Sequence, residues 1–336
     1  MQTSLFDYEL PVEIIAQTPI EPRHASRLMV INRNQSTIEH ARFFDLPKYL
    51  HKNDLLVLNR TRVFPARIFA KKETGGKVEL LLLRDLGKCR WEILVGGKDI
   101  KKNSYLHVNE NIFAIIEEEL NGSRRIVRFS RNINPFLRDI GEIPLPPYIH
   151  EKLSNKERYQ TVYSKTLGSA ATPTAGLHFT KDLMRNIQSK GIRFGFITLH
   201  IGLDTFLPLK VNNIEDHEIH KEWCSLDEKL VQLVNKTREN NGRVIAIGTT
   251  CARALETATN LSRNIEPYTG MTDLYITPGY RFKVVDAMIT NFHLPKSTIL
   301  IMVSAFAGRE KILSAYQIAI RQKYRFYSFG DSMFIV

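Results

Sequence analysis

The stretch that decides the fold lies in the middle of the chain. Five short runs follow one another: Lys77–Leu83 (KVELLLL), Cys89–Val95 (CRWEILV), Tyr105–Val108 (YLHV), Ile112–Glu118 (IFAIIEE) and Arg124–Phe129 (RRIVRF). Turn residues punctuate them at Gly75-Gly76, Gly96-Gly97 and Asn121-Gly122. Evenly spaced short strands with such turns predict a small antiparallel barrel or sandwich. Asn121-Gly122 is a two-residue hairpin signal, because both positions tolerate positive φ.

Outward from this module the pattern changes. Upstream, Leu55–Leu58 (LLVL) is too apolar to stand outside a sheet. Downstream of Pro144–Pro147, strand-like and helix-like segments alternate. Thr180 is placed to cap a helix running to Gln188, with Gly191 beyond its end, and Phe179 and Met184 sit at staple positions. Ile192–Leu199, Val244–Ile247 and Val284–Ile289 read as buried strands. Leu226–Asn240, the segment from Thr249 to about Thr259, a stretch from Ser297 and Glu310–Lys323 read as helices. The fold class expected is therefore α/β: a main domain built from both chain ends, residues 1–67 and 150–336, with a small β-barrel-like domain, residues 68–149, inserted into it.

Composition narrows the function. The chain has 336 residues, 47 Lys+Arg against 35 Asp+Glu and a net charge of +12, which favours a polyanionic partner. Of that excess, +7 falls in residues 151–336, spread through the fold and not gathered in a tail. At 43% hydrophobic and 24% charged the chain is an ordinary globular one, not a disordered or collagen-like one. The three cysteines, Cys89, Cys224 and Cys251, are odd in number and widely spaced, which argues against a disulfide framework or a zinc knuckle. The N-terminus lacks the basic and apolar regions of a signal peptide. The longest uncharged apolar stretch, Ser297–Gly308, is too short to span a bilayer. A cytoplasmic protein with no membrane contact, acting as a monomer, is expected.

Several segments could carry chemistry, each beside a plainer reading. Asn59–Arg67 (NRTRVFPAR) puts two arginines at a strand end, fit for a carboxylate or phosphate, or for a solvated turn. Ala171–Phe179 (ATPTAGLHF) is a small-residue loop entering a helix; Thr174 and Gly176 would let a ligand approach, and His178 would either act or satisfy a local carbonyl. Thr198–Phe206 leaves a strand through Gly202, with His200, Asp204 and Thr205 where α/β sheets bind ligands. Asp216–Glu222 (DHEIHKE) has histidines spaced H-x-x-H, but nothing nearby completes a metal site, so a polar strand edge or a substrate contact is expected, with Glu218, His220 and Glu222 on one face if it is a strand. Gly248–Glu256 places Thr249, Thr250 and Arg253 at a helix start that could seat an anion, though it is neither GxGxxG nor a P-loop. Asp286–Thr298 brings Asp286, Asn291 and His293 into a mostly apolar stretch, where buried polar groups need partners or a task. Tyr324–Asp331 mixes aromatic and basic residues, fit either to stack on bases or to close the core as a hairpin.

In this order the segments resemble one family, the S-adenosylmethionine:tRNA ribosyltransferase-isomerases of queuosine biosynthesis. FDYELPVEIIAQTP, NRTRVFPAR, PLPPYI, RYQTVYS, ATPTAGLHFT, TLHIGLDTF, HEIHKEW, GRVIAIGTTCARALE, the long block ending TNFHLPKSTILIMVSAFAG, and YRFYSFGDSMF carry the likeness over residues 6–334. Only about residues 84–135 match poorly. Asp204, Thr172 and Cys251 depart from the family pattern, which has Gly, Ala and Ser there.

The resemblance implies a transferase of tRNA modification. The ribosyl part of S-adenosylmethionine moves to the aminomethyl group of a 7-deazaguanine at the tRNA wobble position. It isomerises to give epoxyqueuosine, and adenine and methionine leave. The partners implied are that tRNA and S-adenosylmethionine, a consumed co-substrate; no cofactor and no metal is required. By residue type and loop position, His178, His200 and His293 are the proton-transfer candidates. Arg62 and Arg253 are anion holders, and Asp286 and Asn291 are polar contacts to ribose or adenine. Thr174, Gly176, Gly202, Thr205, Thr249 and Thr250 complete the expected substrate contacts. Two rivals predict other outcomes: an RNA-binding protein that consumes no S-adenosylmethionine, and a methyltransferase that yields S-adenosylhomocysteine.

Overall fold

The computed structural model describes residues 1–35, 37–202 and 208–336. The chain divides into two compact units. One comprises residues 1–62, 146–166 and 172–336, the other residues 63–145 and 167–171.

The larger unit is built on a nine-stranded mixed sheet. Its strands are β1 (Arg27–Ile31), β2 (Ile38–Arg42), β3 (Leu55–Asn59), β4 (Arg193–Leu199), β5 (Glu222–Leu226), β6 (Val244–Ile247), β7 (Tyr268–Thr272), β8 (Ala287–Asn291) and β9 (Ser332–Ile335). Their order across the sheet is β7-β5-β4-β3-β6-β8-β9-β1-β2. The middle four, β4-β3-β6-β8, run parallel to one another. β9 returns antiparallel to β8 and parallel to β1. Every residue of β3, β6 and β8 is buried, the mark of strands covered on both faces. On one face Leu56, Leu58, Ile245, Ile247 and Ile289 pack with Leu183, Ile187, Phe43 and Phe179.

Among the described residues five helices accompany the sheet: α1 (Lys181–Ser189), α2 (Glu228–Glu239), α3 (Thr249–Thr257), α4 (Thr298–Ala307) and α5 (Arg309–Arg321). Thr180, Asp227 and Ser297 cap α1, α2 and α4 by accepting the N–H of the third helical residue. Leu226 belongs to β5 and not to the helix that sequence periodicity extended over it; the break falls at the Asp227 cap. α3 instead starts at Gly248, whose φ of +91° allows the sharp exit from β6. The segment Tyr324–Phe329 closes the core: Tyr324 and Phe326 are fully buried.

The smaller unit is a closed six-stranded antiparallel barrel with a short seventh strand, Gly141–Glu142, on its edge. The strands are Arg67–Lys72, Lys77–Gly87, Arg90–Gly96, Tyr105–Asn109, Ile112–Glu119 and Arg124–Phe129. Lys71 opposite His107 and Lys72 opposite Leu106 close the ring. The expected α/β fold with a small β-barrel is thus present. Two turns differ from expectation. Lys88 and Cys89 form a two-residue turn with φ of +50° and +62°, so Cys89 lies in the turn and the strand starts at Arg90. At Asn121-Gly122 the hairpin exists, but Glu119 pairs with Arg125 across a longer loop. Arginines on the barrel are matched by glutamates: Glu92 takes Arg84 and Arg124, and Glu117 takes Arg90 and Arg128.

Candidate active site

The carboxyl ends of β3, β4, β6 and β8 lie along one edge of the larger unit's sheet. In open α/β sheets this is the edge where ligands bind. Asn59, the last residue of β3, ties these ends together. Its side chain donates to Leu199 O (2.9 Å) and Thr250 Oγ1 (3.4 Å) and accepts from Thr61 N and Leu199 N at 3.1 Å.

Two adjoining cavities open at this edge and share Thr249, Thr250 and Ile299 as a common wall. The first is lined by Tyr148, Thr172–Ala175, Ile201, Gly248, Thr290–Leu294, Ser297, Tyr327 and Ser328. It is rich in hydroxyl groups and carries two of the expected residues deep in its floor, Asn291 and His293. The second, about 240 Å³, has apolar walls from Leu209, Ile219 and Met302, with Tyr275, His217, His220, Glu222 and Arg253 among its polar members.

His293 is buried, with Nε2 2.7 Å from Thr290 Oγ1. Its backbone is pinned by the Tyr316 and Tyr8 hydroxyls. Burial pulls its imidazole down to about 3, so the ring is neutral at physiological pH. His178 is also buried and lowered to about 4, by the same cause. Asn291 Nδ2 donates to Tyr327 O (2.8 Å), which turns its Oδ1 toward His178 Nε2 at 3.3 Å. His178 therefore carries its proton on Nε2 and accepts from the Ser26 hydroxyl at Nδ1 (2.7 Å). It lies behind Asn291 and not on the first cavity's wall, stacked on Phe43 at 4.9 Å. His200 is half-buried and stacks on Trp223 at 5.1 Å, with Nδ1 2.8 Å from Thr61 Oγ1. Burial lowers its basicity too.

Among the other expected contacts, Thr174, Thr249, Thr250 and Asn291 line the first cavity. Gly202 sits just past its rim and donates its N–H to Glu222 (3.0 Å). Thr205, with Asp204, lies outside the described residues.

Like His178, His200 and Gly202, the expected residues Arg62, Gly176 and Asp286 line neither cavity, while Arg253 does. Arg62 does not line either cavity; it is held by Ser164 Oγ (2.9 Å) and paired with Glu157. Arg253 lines the second cavity but is already engaged. Its guanidinium bonds Glu222 at 2.6 Å and the carbonyls of His220, Thr272 and Leu274, so four of its five N–H groups are committed within the protein. Gly176 is a packing glycine, since a Cβ there would stand 2.0 Å from Tyr163 Oη. Asp286 precedes β8, whereas Asn291 ends it; five residues of strand separate them by roughly 16 Å. Asp286 accepts from Val244 N (2.8 Å) at the opposite edge of the sheet. An apolar run with polar residues at both ends does not tell which end faces a ligand, and chain direction within the sheet decides it.

Glu222 of the second cavity lies in the segment expected as a polar strand edge or substrate contact, whereas Tyr275 escaped the sequence reading, lying in TDLYITPGY without a charge or motif to single it out. Among the described residues no three His, Cys, Asp or Glu side chains are grouped to hold a metal ion. No helix among them is long and apolar enough to cross a membrane.

A family model described as queuosine biosynthesis protein matches residues 3–335. A protein of Thermosipho melanesiensis named S-adenosylmethionine:tRNA ribosyltransferase-isomerase is 49% identical over 336 residues, all of both chains. One of Acetivibrio thermocellus with the same name is 48% identical over 340 residues, again covering both fully. The crystal structure of an S-adenosylmethionine tRNA ribosyltransferase from Thermotoga maritima is similar at 37% identity and a TM-score of 0.58. The match covers 99% of this chain and 100% of that one. With a full-length family match and a built cleft at the strand ends, the chain is an enzyme of the queuosine biosynthesis family.

Proposed function

We propose that this enzyme transfers and isomerises the ribosyl group of S-adenosylmethionine onto an aminomethyl-7-deazaguanine at the tRNA wobble position. Epoxyqueuosine-tRNA forms, and adenine and methionine are released. The observation that carries the reading is the two-chambered cleft at the strand ends, where hydroxyls gather with the buried, neutral imidazole of His293.

The chemistry matches those groups. The sulfonium acidifies the adjacent 5′ C–H bonds, so a weak, well-placed base suffices to remove a proton. Of the three expected histidines His200 is the one left partly exposed, and it takes that part. His293, neutral and fixed by Thr290, orients hydroxyl groups of the sugar, and Asn291 is held in one amide orientation by Tyr327 and His178. Burial of the incoming amine in the cleft would lower its pKa and keep it neutral and nucleophilic. A net charge of +12 supplies salt-dependent attraction to the tRNA backbone, while an extruded wobble base supplies selectivity. The scheme consumes S-adenosylmethionine and calls on no cofactor.

The test is product analysis with precursor-containing tRNA and S-adenosylmethionine. Adenine and methionine should appear in equal amounts with the modified tRNA. S-adenosylhomocysteine, or no turnover on correctly prepared tRNA, would overturn the reading.

A further inference from the structure

The barrel's outer surface carries a group of residues that its core does not use. Alternation along the strands sends Ile68, Ala70, Leu106, Ile112, Ala114 and Ile116 inward, all of them buried. Phe69 and Lys71 of Arg67–Lys72, Tyr105 and His107 of Tyr105–Asn109, and Phe113 of Ile112–Glu119 fall on the other face. Phe69 is 49% exposed and Phe113 36%, on the side of the sheet where alternation ordinarily sets polar residues. Tyr105 stacks on Phe113 at 4.9 Å and 21°, and His107 stands edge-on to Tyr105 at 4.8 Å.

The same face holds cations that the barrel leaves unmatched. Register sets Lys77, Lys71, His107 and Phe113 in one row across four strands, all four exposed. Two lysines directly opposite each other repel. The other strand cations are satisfied within the barrel. Arg67 pairs with Glu79, Arg84 and Arg124 with Glu92, Arg90 and Arg128 with Glu117, and Arg125 with Glu119, while Lys72 donates to the carbonyl of Lys98. Lys71 and Lys77 have no acidic partner among the described residues. Exposed rings beside unmatched ammonium groups are what single-stranded nucleic acid needs, with bases on the rings and phosphates on the lysines. The net charge of +12 adds attraction of the same sign. Tyr105, His107 and Phe113 fall within residues 84–135, the stretch that least resembles the family, so the pattern is this chain's own and not one of the shared motifs.

We infer that this face of the barrel, formed by Phe69, Lys71, Lys77, Tyr105, His107 and Phe113, binds unpaired RNA and does so whether or not the RNA carries the modified base. In the proposed reaction its occupant is an unpaired stretch of the tRNA, and to that extent the inference rests on that reading.

The test uses the full-length enzyme, with a short oligouridylate, an RNA duplex of the same length and unmodified tRNA as probes. Phe113→Ser and the double variant Lys71→Gln, Lys77→Gln alter exposed side chains, so both should melt as the parent does. Phe113→Ser should weaken oligouridylate binding about fivefold or more and leave duplex binding unchanged, because only unpaired bases stack. The lysine variant should weaken oligouridylate and tRNA binding about tenfold. It should also flatten the logarithmic salt slope by about 1.4, the share of two phosphate contacts on a single strand. Its KM for tRNA should rise, with kcat and the KM for S-adenosylmethionine unchanged. Parental oligouridylate affinity in either variant would overturn the inference; if Phe113→Ser then abolishes a self-association of the parent, the face is a contact between copies of the chain. A parent that binds oligouridylate but releases no adenine keeps this inference and loses the ribosyl transfer. One that releases adenine but binds no oligouridylate does the reverse.

Discussion

Glu222 and Arg253 form an ion pair of 2.6 Å with 6% and 8% of their side chains exposed. The same carboxylate accepts the N–H of Gly202, so one buried pair joins the start of β5, the loop after β4 and the helix α3. Arg253 thus braces the cleft wall, with four of its N–H groups already committed within the protein.

Arg253→Ala should accordingly destabilise the fold by about 3–5 kcal/mol, because it strands a buried carboxylate. Denaturant unfolding measures this. A variant of parental stability that had lost only affinity for S-adenosylmethionine would restore the ligand-holding role that the sequence suggested.

The buried histidines predict a pH dependence of stability. His178 and His293 have folded-state values of about 4 and 3, below the ordinary 6.5. Between those limits the unfolded chain binds more protons than the native one. Stability is therefore fully present above about pH 6.5 and falls as the pH drops toward the folded values. Each histidine contributes a slope of about 1.4 kcal/mol per pH unit. His40, His200 and His217 are lowered as well and act in the same sense. Asp286 and Asp331, both raised by burial, act oppositely near the carboxylate range, so the histidine effect is clearest between pH 5 and about 6.5. Urea midpoints across that window should fall steadily as acid is added. A flat profile there would mean that the imidazoles are not desolvated.

Gly176→Ala tests the packing role assigned to that glycine. Its Cβ would meet Tyr163 Oη at 2.0 Å and Thr161 Cγ2 at 2.9 Å. Thermal unfolding should show a loss of about 1–3 kcal/mol, typical of overpacking. Unchanged stability together with weaker substrate binding would return Gly176 to the cleft.

Much of this was legible in the residues themselves. The barrel strands were readable because alternation and glycine turns are local signals. The loops after β4, β6 and β8 were readable because polar residues at the end of an apolar run stand out. What depends on the whole chain was not. Asp286 and Asn291 look alike in sequence, and only strand direction sends them to opposite edges of the sheet. Arg253 looked available until its acceptors arrived from Glu222, His220, Thr272 and Leu274. Lys88 and Cys89 hid a turn, since neither residue advertises positive φ. Tyr275 was missed because its place in a cavity wall shows only once the chain is folded.

Thr250 offers the most direct test of the central claim, that S-adenosylmethionine is taken apart in the cleft at the ends of β3, β4, β6 and β8. It walls both cavities and is only partly buried. A single-turnover assay on Thr250→Tyr, with label in the adenine ring and saturating precursor tRNA, reads the chemical step at that spot. The account predicts that adenine release falls at least a hundredfold, about 2.7 kcal/mol of transition-state stabilisation, while the protein stays folded and keeps its tRNA. Adenine released at the parental rate by the folded variant would contradict it.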